Sequence, residues 1–280
     1  MAFAVLGDMS LHGLEPATGV EWVVQRDQFS GWDDGPASTV SIQQKARGDG
    51  GWTGKPNRKP MHPVLGGFVY APNEDALDDA RDRLKAACTL DLTTLTITRG
   101  SRARWTSVQR EDEVLFKVLS PTKAAWSIQL VAPDSRKFGA TLTDSTALPS
   151  TSGGLTIPYT IPYSINSTQV SGQVSLINPG NTPGPVRLRI DGPITGPVVT
   201  HVSSGLRLVF AASLTLGVGE FLTVDMESQL VLAQGQSGRA NWVTSRGWSQ
   251  FEPGVNTWAF TAVGYSPDAL LTVSADPSWQ

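Results

Sequence analysis

The chain has 280 residues, 40% of them hydrophobic and 17% charged, with a formal net charge of −3 at pH 7. This length allows one large or two ordinary domains, each with its own core. The small acidic excess argues against a nucleic-acid-binding protein, which normally carries a basic surplus. The charged fraction is below the usual quarter, and a surface with less charge to desolvate suits burial against other subunits.

Turn-forming residues divide the first half into short segments. The chain's 28 glycines and 19 prolines stand between runs of alternating apolar and polar residues, a pattern typical of β-strands. Strands are predicted in "GVEWVVQ", "EVLFKVLS" and "AAWSIQLVAP", where Trp22 and Trp126 fall in phase with the buried face. "LTTLTITRGSRARWTSVQ" predicts a hairpin that reverses at Gly100 and Ser101. The sequence therefore predicts a mainly β protein.

A long segment from Gln44 to Gly67 interrupts this pattern. It is rich in glycine, proline and basic residues. Glycine and proline interrupt helices and strands, so this composition does not favour an element of the core. We expect a long loop or a loosely formed arm, and long loops of this kind usually have a function. In an assembling protein, that function would be contact with a neighbouring subunit.

One helix is predicted among these strands, in "APNEDALDDARDRLKAAC". Asn73 is placed to cap its first turn, and the acidic residues that follow suit the positive end of the helix dipole. Apolar residues recur at helical spacing and form one stripe that can lie against a sheet: Leu77, Ala80, Leu84, Ala87 and Cys88. The first half is thus expected to be a β-sandwich with one covering helix.

The composition changes between about Phe138 and Thr156, where Ser, Thr, Gly and Pro dominate without an apolar period. This stretch is the candidate domain boundary, which gives domains at residues 1–145 and 146–280. Beyond it, strands alternate with turns, first at Asn178-Pro179-Gly180-Asn181 and later at Gly217, Gly219 and Gly235. The second domain is predicted to be an all-β sandwich without helices.

The cysteine and the histidines of the chain do not form a recognisable catalytic or ligand-binding motif. Cys88 is the single cysteine and is expected to be a small buried thiol, because a nucleophile needs a histidine partner. His12, His62 and His201 are isolated from one another along the chain, so no metal site is predicted. The sequence contains no phosphate-binding loop and no dinucleotide fingerprint, and hence no cofactor is expected.

Two pairs of carboxylates are candidates for the acidic residues of a glycosidase. Glu111 and Glu113, like Asp225 and Glu227, lie two residues apart and would share one face of a strand. A glycoside hydrolase needs two carboxylates across a cleft, one with a raised pKa, and the sequence indicates neither condition. Solvated strand faces explain both pairs, so no enzymatic activity is predicted.

Two basic motifs allow more than one interpretation. "RGDGG" at residues 47–51 matches a cell-adhesion string, but chance and loop flexibility explain so short a match better. Arg99, Arg102 and Arg104 surround the predicted hairpin tip, which suits either a nucleic-acid contact or a solvated or inter-subunit hairpin. The second interpretation agrees better with the acidic net charge.

The nine tryptophans raise the possibility of sugar stacking, which needs exposed rings. Trp242, Trp248 and Trp258 remain open candidates. Trp258 lies in "FEPGVNTWAF", where Pro253 and Gly254 predict a turn followed by a strand. In that strand Val255, Thr257 and Ala259 would share one face, and Asn256, Trp258 and Phe260 the other.

Three stretches of the second half carry a family resemblance: "NPGNTPGPVRLRIDGPITGPVV", "SGLRLVFAASLTLGVGEFLTVD" and "FEPGVNTWAFTA". Their order and turns resemble the C-terminal domain of distal tail proteins of bacteriophages with long, non-contractile tails. In the first half, "LVAPDSRKFG" is similar to the family's "A-x-DPRKYG" junction. It departs from that junction at Ser135, where proline is usual, and at Phe138, where tyrosine is usual.

The resemblance implies a structural virion protein. It implies an N-terminal belt domain related to the tail-tube fold, with one helix, and a galectin-like C-terminal sandwich. Six copies would form a ring at the tail tip, with the tail tube protein on one face and the tail-tip hub on the other. The tape measure protein and receptor-binding proteins are further possible partners, and the protein would be assembled in the host cytoplasm without membrane insertion. DNA must pass through the bore without being held, so we expect a bore lining that is not basic.

The suspected inter-subunit contacts come from the arm and the arginine hairpin: Arg47, Asp49, Trp52, Arg58, Lys59, Arg99, Arg102 and Arg104. Two other functions stay open at this point. A carbohydrate-binding module predicts exposed tryptophans in a groove of the second domain, and a tail-tip glycan hydrolase predicts paired carboxylates in a cleft.

Overall fold

A computed structural model describes residues 2–153 and 167–280 and shows a mainly β chain. It divides into two compact units, Met1–Gly139 with Gln280, and Ala140–Trp279. The division lies six residues before the boundary predicted at 145/146, because residues 142–147 form a strand that pairs within the second unit. Of the Ser and Thr side chains that suggested a linker there, Thr143 and Ser145 are exposed on this edge strand, whereas Thr146 is buried. The last predicted boundary residues, through Thr156, lie outside the described residues.

The elements of the first unit, in chain order, are β1 (Ala2–Leu6), β2 (Met9–Ser10), β3 (Gly13–Leu14), β4 (Glu21–Ser30), β5 (Ser38–Thr39), β6 (Ile42–Gln44), β7 (Gly51–Thr53), β8 (Asn57–Arg58), β9 (Val64–Tyr70), α1 (Glu74–Ala87), β10 (Thr93–Arg99), β11 (Arg102–Arg110), β12 (Leu115–Ser120), β13 (Lys123–Val131) and β14 (Lys137–Phe138).

Most of these strands belong to one antiparallel sheet, in the order β2-β1-β10-β11-β13-β9-β4-β3, with β12 added beside β13. The predicted hairpin is confirmed, since β10 and β11 pair from Thr93↔Val108 to Arg99↔Arg102. Its two-residue reversal is the geometry that a right-twisted hairpin favours.

The core of the first unit lies between this sheet and α1. Trp22 and Trp126 are buried and meet edge to face, with ring centroids 5.8 Å apart, as their strand phase predicted. Leu77, Ala80 and Leu84 are the buried stripe of α1. Asn73 caps the helix as predicted, because its side-chain oxygen accepts a 2.8 Å hydrogen bond from the N–H of Ala76.

The segment from Gln44 to Gly67 is more ordered than predicted. It belongs to a two-stranded ribbon in which β5 pairs with β8 and β6 pairs with β7. Its last four residues, 64–67, are instead part of the core strand β9. Gly67 is needed there for close approach, since a Cβ at this position would overlap the carbonyl oxygen of Val23. Glycine that suggested a loop therefore serves a tightly packed sheet.

The strands of the second unit, in chain order, are β15 (Leu142–Ala147), β16 (Ser150–Gly153), β17 (Ser167–Val170), β18 (Gln173–Asn178), β19 (Val186–Asp191), β20 (Ile194–His201), β21 (Leu206–Phe210), β22 (Thr215–Leu216), β23 (Phe221–Asp225), β24 (Leu230–Ala233), β25 (Ser237–Gly238), β26 (Val243–Arg246), β27 (Gly254–Gly264), β28 (Leu270–Ala275) and β29 (Ser278–Trp279).

The second unit is a sandwich of two antiparallel sheets. One has the order β15-β28-β19-β23-β24-β25, and the other has the order β18-β27-β20-β21-β26 with β22 beside β20. Side chains from both sheets form one hydrophobic cluster, as alternate residues of β19 show by being buried while Arg187 and Arg189 are exposed. A short 3₁₀ helix at Ala240–Trp242 corrects the prediction that this half lacks helices.

The turn at Asn178–Asn181 has a different role from the predicted one. The strands on either side, β18 and β19, lie in different sheets, so the segment crosses from one layer of the sandwich to the other. Asn178 is buried and donates from its side chain to the carbonyls of Thr182 and Phe251, at 3.2 and 2.7 Å. The asparagine thus adds side-chain hydrogen bonds at the crossing, where the Phe251 carbonyl also accepts from the N–H of Gly184.

Candidate assembly site

The most exposed segment of the first unit is the ribbon between β4 and β9. All 24 residues at 37–60, hereafter the arm, are exposed. The arm consists of the paired strands β5–β8 and β6–β7, with its tip at residues 45–50. Two strands without a packed face are marginally stable in water. The arm therefore lacks the burial that normally stabilises such a ribbon.

Apolar side chains on the arm point into solvent on both faces. Ile42 is 69% exposed and lies opposite Thr53, while Trp52 is 70% exposed and lies opposite Gln43. Residues 42 and 43 project to opposite faces because successive strand side chains alternate. Trp52 is the one tryptophan of the nine that is exposed. Burying its ring against another surface would be favourable, since large aromatic residues contribute most to protein interfaces.

The arm is basic on an acidic protein. It contains five Lys and Arg against the single Asp49, whereas the rest of the chain has 17 basic and 24 acidic residues. The Lys45 ammonium lies 5.4 Å from the centre of the Trp52 ring, within the range of a cation–π contact. Among the suspected contact residues, the structure places five together on the arm: Arg47, Asp49, Trp52, Arg58 and Lys59.

The arginine hairpin is tied to the base of the arm. Arg99 donates two hydrogen bonds of 2.6 Å to the carboxylate of Asp33 and lies over the ring of Phe29, 5.3 Å from its centre. Arg102 is exposed and Arg104 is half-buried; burial, with the nearby Arg102 charge, lowers the pKa of the Arg104 guanidinium. The hairpin thus supports the arm's attachment, and Arg99 already has a partner within its own chain.

Two strands of the first sheet have open edges. Within the part of the chain that the structure describes, β12 pairs with β13 alone, and β4 beyond Trp22 pairs only with β9. Leu115, Val118 and Leu119 of β12 are about half exposed, at 47%, 53% and 49%. An apolar edge strand with free backbone groups invites pairing with another chain. These edges are therefore a second candidate surface for assembly.

In the second unit, the "FEPGVNTWAF" corner is structural. Asn256, Trp258 and Phe260 are buried as the alternation predicted, and Val255 is 64% exposed. The Asn256 side-chain oxygen accepts from the N–H of Glu252 at 3.0 Å and lies 3.1 Å from His201 Nε2. Its nitrogen donates to the carbonyls of Glu252 and Gly254, at 2.7 and 3.0 Å. The asparagine thereby closes the turn.

His201 completes this buried polar cluster. Its Nδ1 lies 2.7 Å from the Ser204 hydroxyl, and its ring lies 5.2 Å from that of Trp258. Nε2 can donate to Asn256 while Nδ1 accepts from Ser204, which is the arrangement of a neutral imidazole. Burial lowers the pKa of His201 below its ordinary value of 6.5, although the bond to Asn256 acts in the opposite direction. Burial therefore favours the uncharged form of His201 in this cluster.

The open tryptophans of the second unit are not available as a sugar platform. Trp258 is fully buried and donates to the Ser249 hydroxyl at 3.2 Å. Trp242 and Trp248 are partly buried and pack against the hydrophobic core. A stacking site needs an accessible ring face, and these three residues do not gather in an exposed groove.

The carboxylate pairs stabilise local structure. Asp225 accepts from the N–H groups of Glu227 and Ser228 at 2.9 and 3.1 Å, which is a turn-capping arrangement. Glu111 lies 2.8 Å from His62, and both side chains are exposed. Within residues 2–153 and 167–280, no cluster of three His, Cys, Asp or Glu side chains is placed to hold a metal ion.

Cys88 is buried at the end of α1, and burial raises the pKa of its thiol to about 11, as suits a structural thiol. In the described part of the chain, no helix combines the length and apolar character required to cross a bilayer.

No protein-family model and no curated protein matches the chain. Among solved structures, the crystal structure of the SPP1 Dit protein (gp 19.1), described as a paradigm of the hub adsorption apparatus in phages that infect Gram-positive hosts, is similar over 100% of both chains, with a TM-score of 0.68 and 10% identity. The phage P2 baseplate in its activated conformation with Ca is similar over 98% of both chains, with a TM-score of 0.49 and 11% identity. The chain therefore has the fold of SPP1 Dit, which agrees with the resemblance inferred from sequence.

Proposed function

We propose that this protein is a non-catalytic structural component of a phage tail tip. Six copies close into a ring at the end of a long, non-contractile tail, one face meeting the tail tube protein and the other the tail-tip hub. The protein is assembled in the host cytoplasm and resides in the virion. The tape measure and receptor-binding proteins are its further neighbours.

The observation that carries this proposal is the fold shared with SPP1 Dit over the full length of both chains. A likeness confined to one sandwich would support only a common module. Agreement through both units instead favours a common architecture with a common role. The belt and galectin-like character of the two units are part of the same proposal.

The exposed surfaces of the first unit supply a physical route to a ring. A cyclic ring of identical chains uses a heterologous interface, in which one surface of each copy meets a different surface of the next. The open edges of β12 and β4 are two such surfaces, and pairing β12 of one copy with β4 of the next would satisfy the backbone groups of both. The low charge of the surface reduces the cost of burying it.

The proposal is tested on the purified full chain by multi-angle light scattering and negative-stain electron microscopy. A ring of six gives a mass of about 180 kDa, six times the 29.9 kDa chain, and images with six-fold symmetry. Antibody labelling of virions should then place the protein at the tail tip. A chain that stays monomeric at high concentration would contradict the ring.

A further inference from the structure

A groove beside α1 is a further surface of the first unit, in addition to the arm and the strand edges, and the sequence did not indicate it. Its volume is about 530 Å³. Its lining combines small and apolar residues with charged side chains of α1: Thr18, Val20, Ala76, Ala86, Asp79, Asp82 and Arg83. A groove of this size accommodates a large aromatic side chain, and its carboxylates favour a cation beside that ring.

The groove also contains an incompletely satisfied donor. Arg83 lines it and donates from Nη1 to Glu15 at 2.6 Å, but its buried Nη2 has no hydrogen-bond partner among the described residues. Buried donors without a partner are rare in folded proteins. Asp79 likewise has no ion-pair partner in the part of the chain that the structure describes, whereas Asp82 is 3.3 Å from Arg81. The groove lining thus has two carboxylates against one guanidinium, and its hydrogen-bonding groups are incompletely paired.

The groove and the arm lie at opposite ends of the first sheet. The arm leaves the sheet where Ser30 of β4 pairs with Val64 of β9. Thr18 and Val20 of the groove come just before Glu21, which pairs with Tyr70 at the other end of β9. Seven strand residues separate the two ends by roughly 20 Å. Two different surfaces at opposite ends of one unit are what a head-to-tail interface requires.

We propose that the arm of one copy docks in the α1 groove of the next copy in the ring. Trp52 packs on the accessible apolar lining formed by Ala76 and Ala86. The Lys45 ammonium, which already lies over the Trp52 ring, faces Asp79 and Asp82. The contact buries the exposed indole and joins the basic arm to the acidic helix. This inference rests on the proposed ring and identifies one of its interfaces.

Charge exchange in the full-length chain tests this pairing. Trp52→Ala, Lys45→Glu and Asp79→Lys should each raise the concentration at which rings form, measured by sedimentation velocity, by about tenfold or more. Combining Lys45→Glu with Asp79→Lys should return it to within about threefold of the wild type, because the charges are again complementary. That recovery also shows that a chain carrying both substitutions is folded.

Matched controls use exposed residues that belong neither to the arm nor to the groove lining. Leu90→Ala removes an apolar side chain that is 72% exposed, and Asp268→Lys reverses an exposed charge of the second unit; neither should change ring formation. Wild-type rings together with unaltered assembly of Trp52→Ala and Lys45→Glu would overturn the arm–groove pairing and leave the proposed function intact. A wild-type chain that never assembles would overturn both. Failure of the charge exchange to recover assembly would refute the pairing of Lys45 with Asp79.

Discussion

Replacing Asn256 by alanine is expected to destabilise the second unit by about 2–4 kcal/mol. Asn256 is fully buried and serves four hydrogen-bonding groups, on Glu252, Gly254 and His201. Glu252 and Gly254 are exposed, so water can replace part of what their backbone groups lose. His201 is 2% exposed, and its ring nitrogen would stay unsatisfied, at a cost of about 1–3 kcal/mol. The small cavity left by the side chain accounts for the rest.

Hydrogen exchange measured by mass spectrometry on the full chain can test this prediction, because it reports the stability of peptides from each unit separately. The free energy of opening for the slowest amides of β20 and β27 should fall in the Asn256→Ala protein, while those of β9 and β13 should not change. Asn241→Ala, at an exposed asparagine of the same unit, is the matched control and should change stability by less than about 0.5 kcal/mol. A loss below that value in Asn256→Ala would refute the structural role assigned to the corner.

Three further predictions concern His201, Cys88 and Asn73. Because the pKa of His201 in the folded chain is lowered from 6.5, its contribution to stability should be complete above pH 6.5 and decrease as the pH falls below that value. The free energy of unfolding in urea should therefore depend less on pH in His201→Gln than in the wild type. An equal pH dependence in the two proteins would contradict this. The Cys88 thiol, with its pKa raised to about 11, should react with a thiol reagent at pH 8 only after unfolding, whereas prompt reaction of the native chain would argue against its burial. Asn73→Ala should cost about 1 kcal/mol in the first unit by removing the cap of α1, while Asn57→Ala on the exposed arm should cost nothing measurable.

Local elements were the part of the fold that sequence could predict. Asn73 and the stripe from Leu77 to Leu84 identify α1, because a helix is specified by capping and by contacts three and four residues apart. Alternation in "GVNTWAF" identified the buried side of β27, including Trp258, because a strand directs successive residues to opposite faces. Both signals lie within a few residues of the chain.

The pairing of distant segments was not predictable in the same way. The strands flanking Asn178 were predicted correctly, but their assignment to different sheets depends on partners far along the chain. Likewise, Asp33 binds Arg99 across 66 residues, and neither residue carries a local signal for the other. Strand partners are selected by burial of the whole sheet, which no short window contains.

The sequence by itself determined that the chain is mainly β and that its first half has one helix. It also identified the arm and the arginine hairpin as candidate contact segments. These signals are local, because composition, periodicity and capping depend on residues close together in the chain. Only the tertiary structure decided which of these residues are exposed to solvent. Glycine-rich stretches became both an exposed arm and the tightly packed start of β9, and of nine similar tryptophans Trp52 alone is exposed. Exposure depends on what the rest of the fold places over a residue, and so it cannot be derived from that residue's neighbours in the chain.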